Sequence, residues 1–438
     1  MKRSIQPPEK KRLELFGSEA YEVLRIPAFR LLTSARFALT FALQMQVVIV
    51  GWQVYDMTKD PLSLGLIGLA EALPSLSVSL YAGHLADLHD RKGILVTGLA
   101  VLVLCSFALF YFTLDASPVL ATFGVTAIYA VIFLSGLARG FIGPAVFGLI
   151  GQIVPRPLLP KASAWNSSAW QIAAIVGPAI GGFIYAFVGI TATYLLDAVL
   201  VTIALYLVAL IPSHGRIEQE GSESIKERLL SGIRFVFGNQ IIVGALSLDL
   251  FAVLFGGAVA LLPVFAREIL EVGPQGLGAL RAAPAVGAAL VALSLAHRPT
   301  MSRAGKKLFW AVAGFGVCLI IFGISRNFYL SLVALALSGA LDSISVIVRS
   351  TILQLHTPDH MRGRVSAVNS MFIGSSNEIG AFESGVAARL LGVVPSVIFG
   401  GGMTLVTVGL TALKAPQLRA LELEVPRRES VRKEEPRT

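Results

Sequence analysis

The chain has 438 residues, of which 55% are hydrophobic and 14% charged, and its mean hydropathy is +0.74. That composition excludes an ordinary soluble domain and predicts a polytopic membrane protein. A net charge of +9 could suggest a nucleic-acid partner. Here, however, the basic residues hug the ends of apolar spans, where an anionic lipid leaflet attracts them, so no nucleic-acid partner is expected.

A hydropathy window of roughly 19 residues predicts twelve spans. Six lie near Leu31 to Tyr55, Leu62 to Ala82, Ile94 to Leu114, Val119 to Leu149, Ala164 to Val188 and Ile190 to Pro212. After a polar stretch from Ser213 to Gly238, six more lie near Ile241 to Val264, Gly276 to Ala296, Leu308 to Ser325, Phe328 to Gln354, Ser366 to Ala388 and Val393 to Leu413. The charged run from Gly83 to Lys92 cannot sit in hydrocarbon and reads as a tight turn at a membrane surface.

Every second connection is basic, with Arg91 and Lys92, Arg156 and Lys161, Arg216 to Arg234, Arg298 to Lys307, and Arg362 with Arg364. By the positive-inside rule, both termini and the central linker are expected on the cytoplasmic side, with residues 1–28 as an arm and 414–438 as a tail. The basic N-terminus leads into a span too long for a signal-peptide h-region, so the first span is expected to be retained. Cys105 and Cys318 lie inside spans of different halves and read as small core hydrophobes. There is no nucleotide loop, and the histidines form no metal pattern. The chain is therefore not expected to be an enzyme or to hold a metal or cofactor.

The sequence repeats weakly at an offset of about 203 residues. Leu134, Ser135 and Gly136 recur as Leu337, Ser338 and Gly339, while Ser163, Ala164, Asn166 and Ser167 recur as Ser366, Ala367, Asn369 and Ser370. Spans 4 and 5 are copied as spans 10 and 11 in the same direction, which predicts halves related by an axis along the membrane normal. The expected halves are residues 29–212 and 239–413, joined by a cytoplasmic linker, 213–238.

This organisation resembles the major facilitator superfamily, an all-α polytopic fold of twelve transmembrane helices in two pseudo-symmetric six-helix halves. Gly83, Ala86, Asp87, Asp90, Arg91 and Lys92 resemble its signature between spans 2 and 3. The resemblance implies a conformational latch against the start of span 11, near Val365 and Ser366. A charged turn without a mechanical role would need the same residues. In span 5, Gly177, Pro178, Gly181 and Gly182 resemble the motif of the antiporter branches, with Ala173 departing from a usual glycine. Helix packing alone also uses such residues. Arg139 and Gly143 resemble a span 4 spacing of the superfamily.

The segments Phe29 and Arg30, then Trp52 to Thr58, and Met361 to Val365 with Asn369 look like the drug and siderophore exporter branch, which includes enterobactin exporters. Macrolide efflux proteins and a lysophospholipid flippase share these features.

Charges within spans are costly and mark candidate sites. The repeat offset puts Asp342 at the position equivalent to Arg139, so the two could face each other across a central cavity. They could equally form an ion pair that only joins the halves. With Gln44, Gln46 and Asp249 they make up the expected substrate site. Glu71 and Arg281, each three residues before a span proline, could pair between halves. Proton coupling needs a carboxylate with a movable affinity for protons. The candidates are Glu71, Asp342 and Asp249, then Glu378 and Glu383, while Asp197 is expected to face packing.

The function expected is a secondary active transporter, a monomer of the bacterial inner membrane. It would use the proton motive force to export a small amphipathic or anionic molecule, siderophore or drug, by alternating access. A lipid flippase is the alternative, and a non-transporting sensor is less well supported because the soluble arms are short.

Overall fold

The computed structural model describes residues 21–212, 225–295, 303–358 and 361–422. The arm before residue 21, linker residues 213–224, the loop residues 296–302, residues 359–360 and the tail beyond 422 lie outside the described residues, as do several side chains around Gly83 and Asp87. Among the described residues all regular structure is helical.

The first group comprises α1 (Pro27–Thr58), α2 (Pro61–Leu88), α3 (Arg91–Phe112), α4 (Val125–Ile153), α5 (Leu159–Val188) and α6 (Ile190–Ala209). A linker helix, Ile225–Gly238, follows. The second group comprises α7 (Gln240–Phe255), α8 (Gly273–Leu295), α9 (Ala304–Ile324), α10 (Phe328–His356), α11 (Arg362–Leu391) and α12 (Val393–Lys414). Eleven of these, with α7 continued to Ile269, are long and apolar enough to cross a membrane. The remaining one, α11, has 30 residues, ample length, but it carries Arg364, Glu378 and Glu383. A helix that polar fits a bilayer only when its charges turn inward.

Local chemistry sets the boundaries. Pro27 and Pro61 start α1 and α2, where a missing N–H costs nothing. Side chains of Asp60, Asp90, Asn239 and Asn327 accept from the first-turn N–H groups of α2, α3, α7 and α10. Gly189 between α5 and α6 has φ +97°, and Gly392 between α11 and α12 has φ +93°. One residue in glycine's conformation thus turns the chain at equivalent places in the two halves.

Three expectations change in detail. The run from Gly83 to Lys92 is mostly helix, because α2 continues to Leu88 and only His89 and Asp90 make the turn. Span 4 is split at Gly124, φ +56°, into Val119–Phe123 and α4. Span 7 is broken at Gly256 and proceeds through a 3-10 turn, Gly257–Leu261, and a π turn, Phe265–Ile269.

Packing repeats as the sequence does. In the first group α2 packs on α4, α1 on α5 and α6, and α3 on α4 and α6; in the second, α8 packs on α10, α7 on α11 and α12, and α9 on α10 and α12. Small residues permit these approaches. A Cβ on Gly136 would lie 2.5 Å from the Glu71 carbonyl, and its repeat partner Gly339 meets Pro284 in the same way. A Cβ on Gly287 would overlap the Ala336 carbonyl, whereas one on Gly402 meets nothing within 4 Å. Gly287→Ala is therefore expected to cost about 1–3 kcal/mol by forcing α8 from α10, and Gly402→Ala to be neutral. Thermal unfolding of the two variants in detergent checks this.

Large apolar side chains such as Phe107, Phe183, Phe187, Trp310 and Leu337 are exposed on the outer surface. A surface of this kind is stable in contact with lipid tails.

The halves meet through α2 against α11 and α5 against α8. The bundle has a linker end, with the linker helix and the start of α1, and a far end, where α1 passes into α2. A Cβ on Gly385 would lie 2.8 Å from Gly65 Cα, and one on Gly278 2.5 Å from the Pro178 carbonyl, both toward the far end.

Candidate functional site

Two connected cavities of about 220 Å³ and 530 Å³ lie between the halves and share Gln44, Ala260, Arg281, Glu378 and Ala381. Each charged group is delivered by a helix with a reason to hold it there. Glu71 lies one turn before Pro74, which has no N–H to give to the α2 ladder although the helix runs on through it. Arg139 lies one turn after Gly136, where α4 lies closest to α2. Arg139 Nη1 pairs with Glu71 Oε1, with the two side chains 35% and 18% exposed, so the pair opens to the cavity. Arg281 on α8 donates to the Val259 carbonyl at 3.1 Å, satisfying the backbone where span 7 unwinds. Glu378 on α11 lies beside Arg281 and lines both cavities, and Asp342 on α10 lines the larger one.

Three carboxylates, Glu71, Glu378 and Asp342, thus face two guanidiniums, Arg139 and Arg281. Such a set can bind a polar cargo and exchange protons while leaving few charges uncompensated.

Several predicted pairings are corrected. Arg139 does not pair with Asp342; its partner is Glu71, because α4 packs on α2 within its own half. Glu71 makes its contact ion pair with Arg139 and not with Arg281, although Glu71 and Arg281 both face the smaller cavity and their charges attract across it. Asp249 does not line either cavity. It pairs with Arg349 of α10 inside the second half, with side chains 9% and 3% exposed, and Arg349 was not singled out from the sequence. Gln44 lines both cavities, while Gln46 lines the smaller one and lies 3.5 Å from the fully buried Asp197. Trp170, near the start of span 5, lines the larger cavity.

The span 5 motif splits its work between two neighbours. Gly177 and Gly181 admit α1, at Phe41 and Met45, while Pro178 and Gly182 admit Pro274 and Gly278 of the other half. In the latch run, Arg91 donates to the Gly148 carbonyl and Lys92 to the Ala209 carbonyl, each at 2.9 Å. They tie the linker-end rims of α4 and α6 to α3. The Asp87 side chain and the surroundings of Gly83 lie outside what the structure describes. Arg364, at the start of α11, donates to Ser231 of the linker helix at 2.9 Å.

A second charged set closes the far end between the halves. Asp56 pairs with Lys59 and with Arg267, Tyr55 donates to Glu268, and Asp60 lies 3.3 Å from Arg389. Arg267 also stacks over Trp52 at 5.5 Å.

Residues 18–434 match the family described as transmembrane secretion effector. The chain belongs to this family, within the major facilitator superfamily. Among the chain's relatives, the enterobactin exporter EntS of Shigella boydii serotype 4 (strain Sb227) is 28% identical over 91% of this chain and 94% of its own. The protein of the same name from Escherichia coli (strain SE11) is 27% identical over the same shares. Among solved structures, a bacterial homologue of the iron transporter ferroportin in an inward-facing state superposes with TM-score 0.69 at 16% identity, covering 91% of this chain and all of that one. The nucleoside transporter NupG superposes with TM-score 0.65 at 15% identity, over 90% and 98%. The chain is thus a multi-pass integral membrane protein with the fold of a transporter.

Proposed function

We propose that the chain exports a small amphipathic or anionic molecule, siderophore or drug, in exchange for protons, by rocking its halves about the central cavity. One observation carries this reading: the halves close on each other at the far end through paired charges, with a cavity of mixed charge at mid-depth. With the linker end cytoplasmic, as the basic loops favour, the far end is the outer face and this state faces inward. The names of the relatives support export of a siderophore-like cargo. The cell would present the protein as an inner-membrane monomer with cytoplasmic termini, served by the bilayer and protons alone.

Closure of the opposite end would use the run around Asp87 and Asp90 against the start of α11, so Asp87→Asn would favour the inward-facing state. Glu71, Glu378 and Asp342 are the proton-carrying candidates, with Asp249 set aside by its buried partner. A potential of about 100 mV supplies roughly 2.3 kcal/mol per charge, and a tenfold gradient of neutral solute costs about 1.4 kcal/mol. One proton therefore suffices for a modest gradient.

The test is cargo accumulation in proteoliposomes with an acidic lumen, using enterobactin and a panel of amphipathic drugs. Accumulation abolished by a protonophore, with Glu378→Gln retaining exchange but losing gradient-driven accumulation, is the expected result. Accumulation indifferent to the protonophore would reject proton coupling.

A further inference from the structure

Arg36 on α1 is half-buried within the bundle, and no described residue bonds or pairs with it. The other deep guanidiniums differ: Arg139 holds Glu71, Arg281 holds the Val259 carbonyl, and Arg349 holds Asp249. An arginine at this depth without a partner is costly, and the cost calls for a ligand.

Its surroundings supply the rest of a site. Arg36 lines a cavity of about 270 Å³ together with Thr40, Arg139, Gly143 and Trp170, over a floor of apolar side chains from α3, α4 and α6. On α1, Arg36, Thr40 and Gln44 recur every four residues and so share one face. That face forms a polar track from the linker end to the central cavity, which Gln44 lines. Arg139 stands at the junction, since it lines this cavity and the smaller central one, and Trp170 lines this cavity and the larger one. A Cβ at Gly143 would meet nothing within 4 Å, so the glycine leaves the space open. A guanidinium carries five N–H donors, so Arg139 can hold Glu71 and still donate to a second acceptor.

We propose that Arg36 and Arg139, with Thr40 and Trp170, form an anion-binding entry subsite for cargo that carries a carboxylate, sulfonate or phenolate on a flat apolar body. The two guanidiniums hold the anionic group, the indole and apolar floor hold the body, and the α1 track passes the cargo inward. This inference rests on the export reading by naming the cargo's chemistry and where it first binds.

The test uses the full chain in phosphatidylcholine nanodiscs and two probes, anionic dansylglycine and neutral dansylglycinamide, read by energy transfer from tryptophan. The native chain is expected to bind the anion about tenfold or more tightly than the amide, since a charge-assisted hydrogen bond contributes about that factor. Arg36→Gln is expected to bring the ratio close to one with amide binding unchanged, and Arg36→Lys to keep most of the preference. No preference in the native chain, or a preference surviving Arg36→Gln, overturns the subsite. If Arg36→Gln does not give a monodisperse protein, Gly143→Leu fills the same space without touching a charge; unchanged anion binding in that variant overturns the subsite too. The two readings fail separately. Anion preference without any proteoliposome transport would reject export and leave the subsite standing, and transport without anion preference would do the reverse.

Discussion

Asp249→Asn is expected to destabilise the chain by about 3–5 kcal/mol, the loss seen when one member of a buried ion pair is removed and the other stays charged. The side chains of Asp249 and Arg349 are 9% and 3% exposed, among Ala245, Leu248, Val348 and Ile352. Among the described residues, Asp249 is the one ion-pair partner of the Arg349 guanidinium. Little else can therefore compensate the guanidinium once the carboxylate is gone. The double variant Asp249→Leu with Arg349→Met should recover most of the loss, because well-packed apolar residues of similar volume replace such pairs without penalty. Melting of detergent-solubilised protein measures both effects. Cargo exchange should persist in the double variant, since the pair lies outside the cavity; its loss there would return Asp249 to the substrate site.

Arg139→Gln is expected to leave the fold intact and to reduce transport by about tenfold to a hundredfold, the worth of a charged hydrogen bond of roughly 1.5–3 kcal/mol. The Arg139–Glu71 pair is partly exposed to the cavity, so water relieves the carboxylate left behind and the stability cost stays well below that at Asp249. Glu71→Gln should spare binding of neutral cargo and impair coupling to the proton gradient. Initial rates of counterflow and of gradient-driven accumulation, compared for the two variants, separate these roles. Equal loss of both rates in both variants would mean that the pair only holds α2 to α4.

What the sequence made legible follows from what one dimension records. The spans and the repeat could be read because apolar length and small residues answer to the bilayer and to backbone approach. Gly136 and Gly339 sit at equivalent contacts with α2 and α8, and the span 5 glycines meet α1 and α8. Charge pairing could not be read in this way, since it depends on how each helix is rotated and on which neighbour it touches. Register places Arg139 opposite Asp342, yet α4 turns Arg139 to Glu71 of its own half. Asp249 lies on span 7, but its face of α7 points to Arg349 and not to the cavity. Arg36 carried no pattern beyond its charge; only its place on one face with Thr40 and Gln44 could have marked it. The far-end pairs were hidden because Arg267, Glu268 and Arg389 lie in connections that read only as short and poor in bases.

The central claim is that the two halves move about the cavity and that the far-end charges hold one of the resulting states. Spin labels at Met57→Cys and Leu391→Cys, two exposed positions at that end in different halves, report the separation directly once Cys105 and Cys318 are replaced by alanine. The expected distance distribution has a dominant short component and a minor long one, and Asp56→Asn combined with Asp60→Asn shifts population to the long component. A single short distance, unchanged by these substitutions and by pH, would contradict alternating access through this interface.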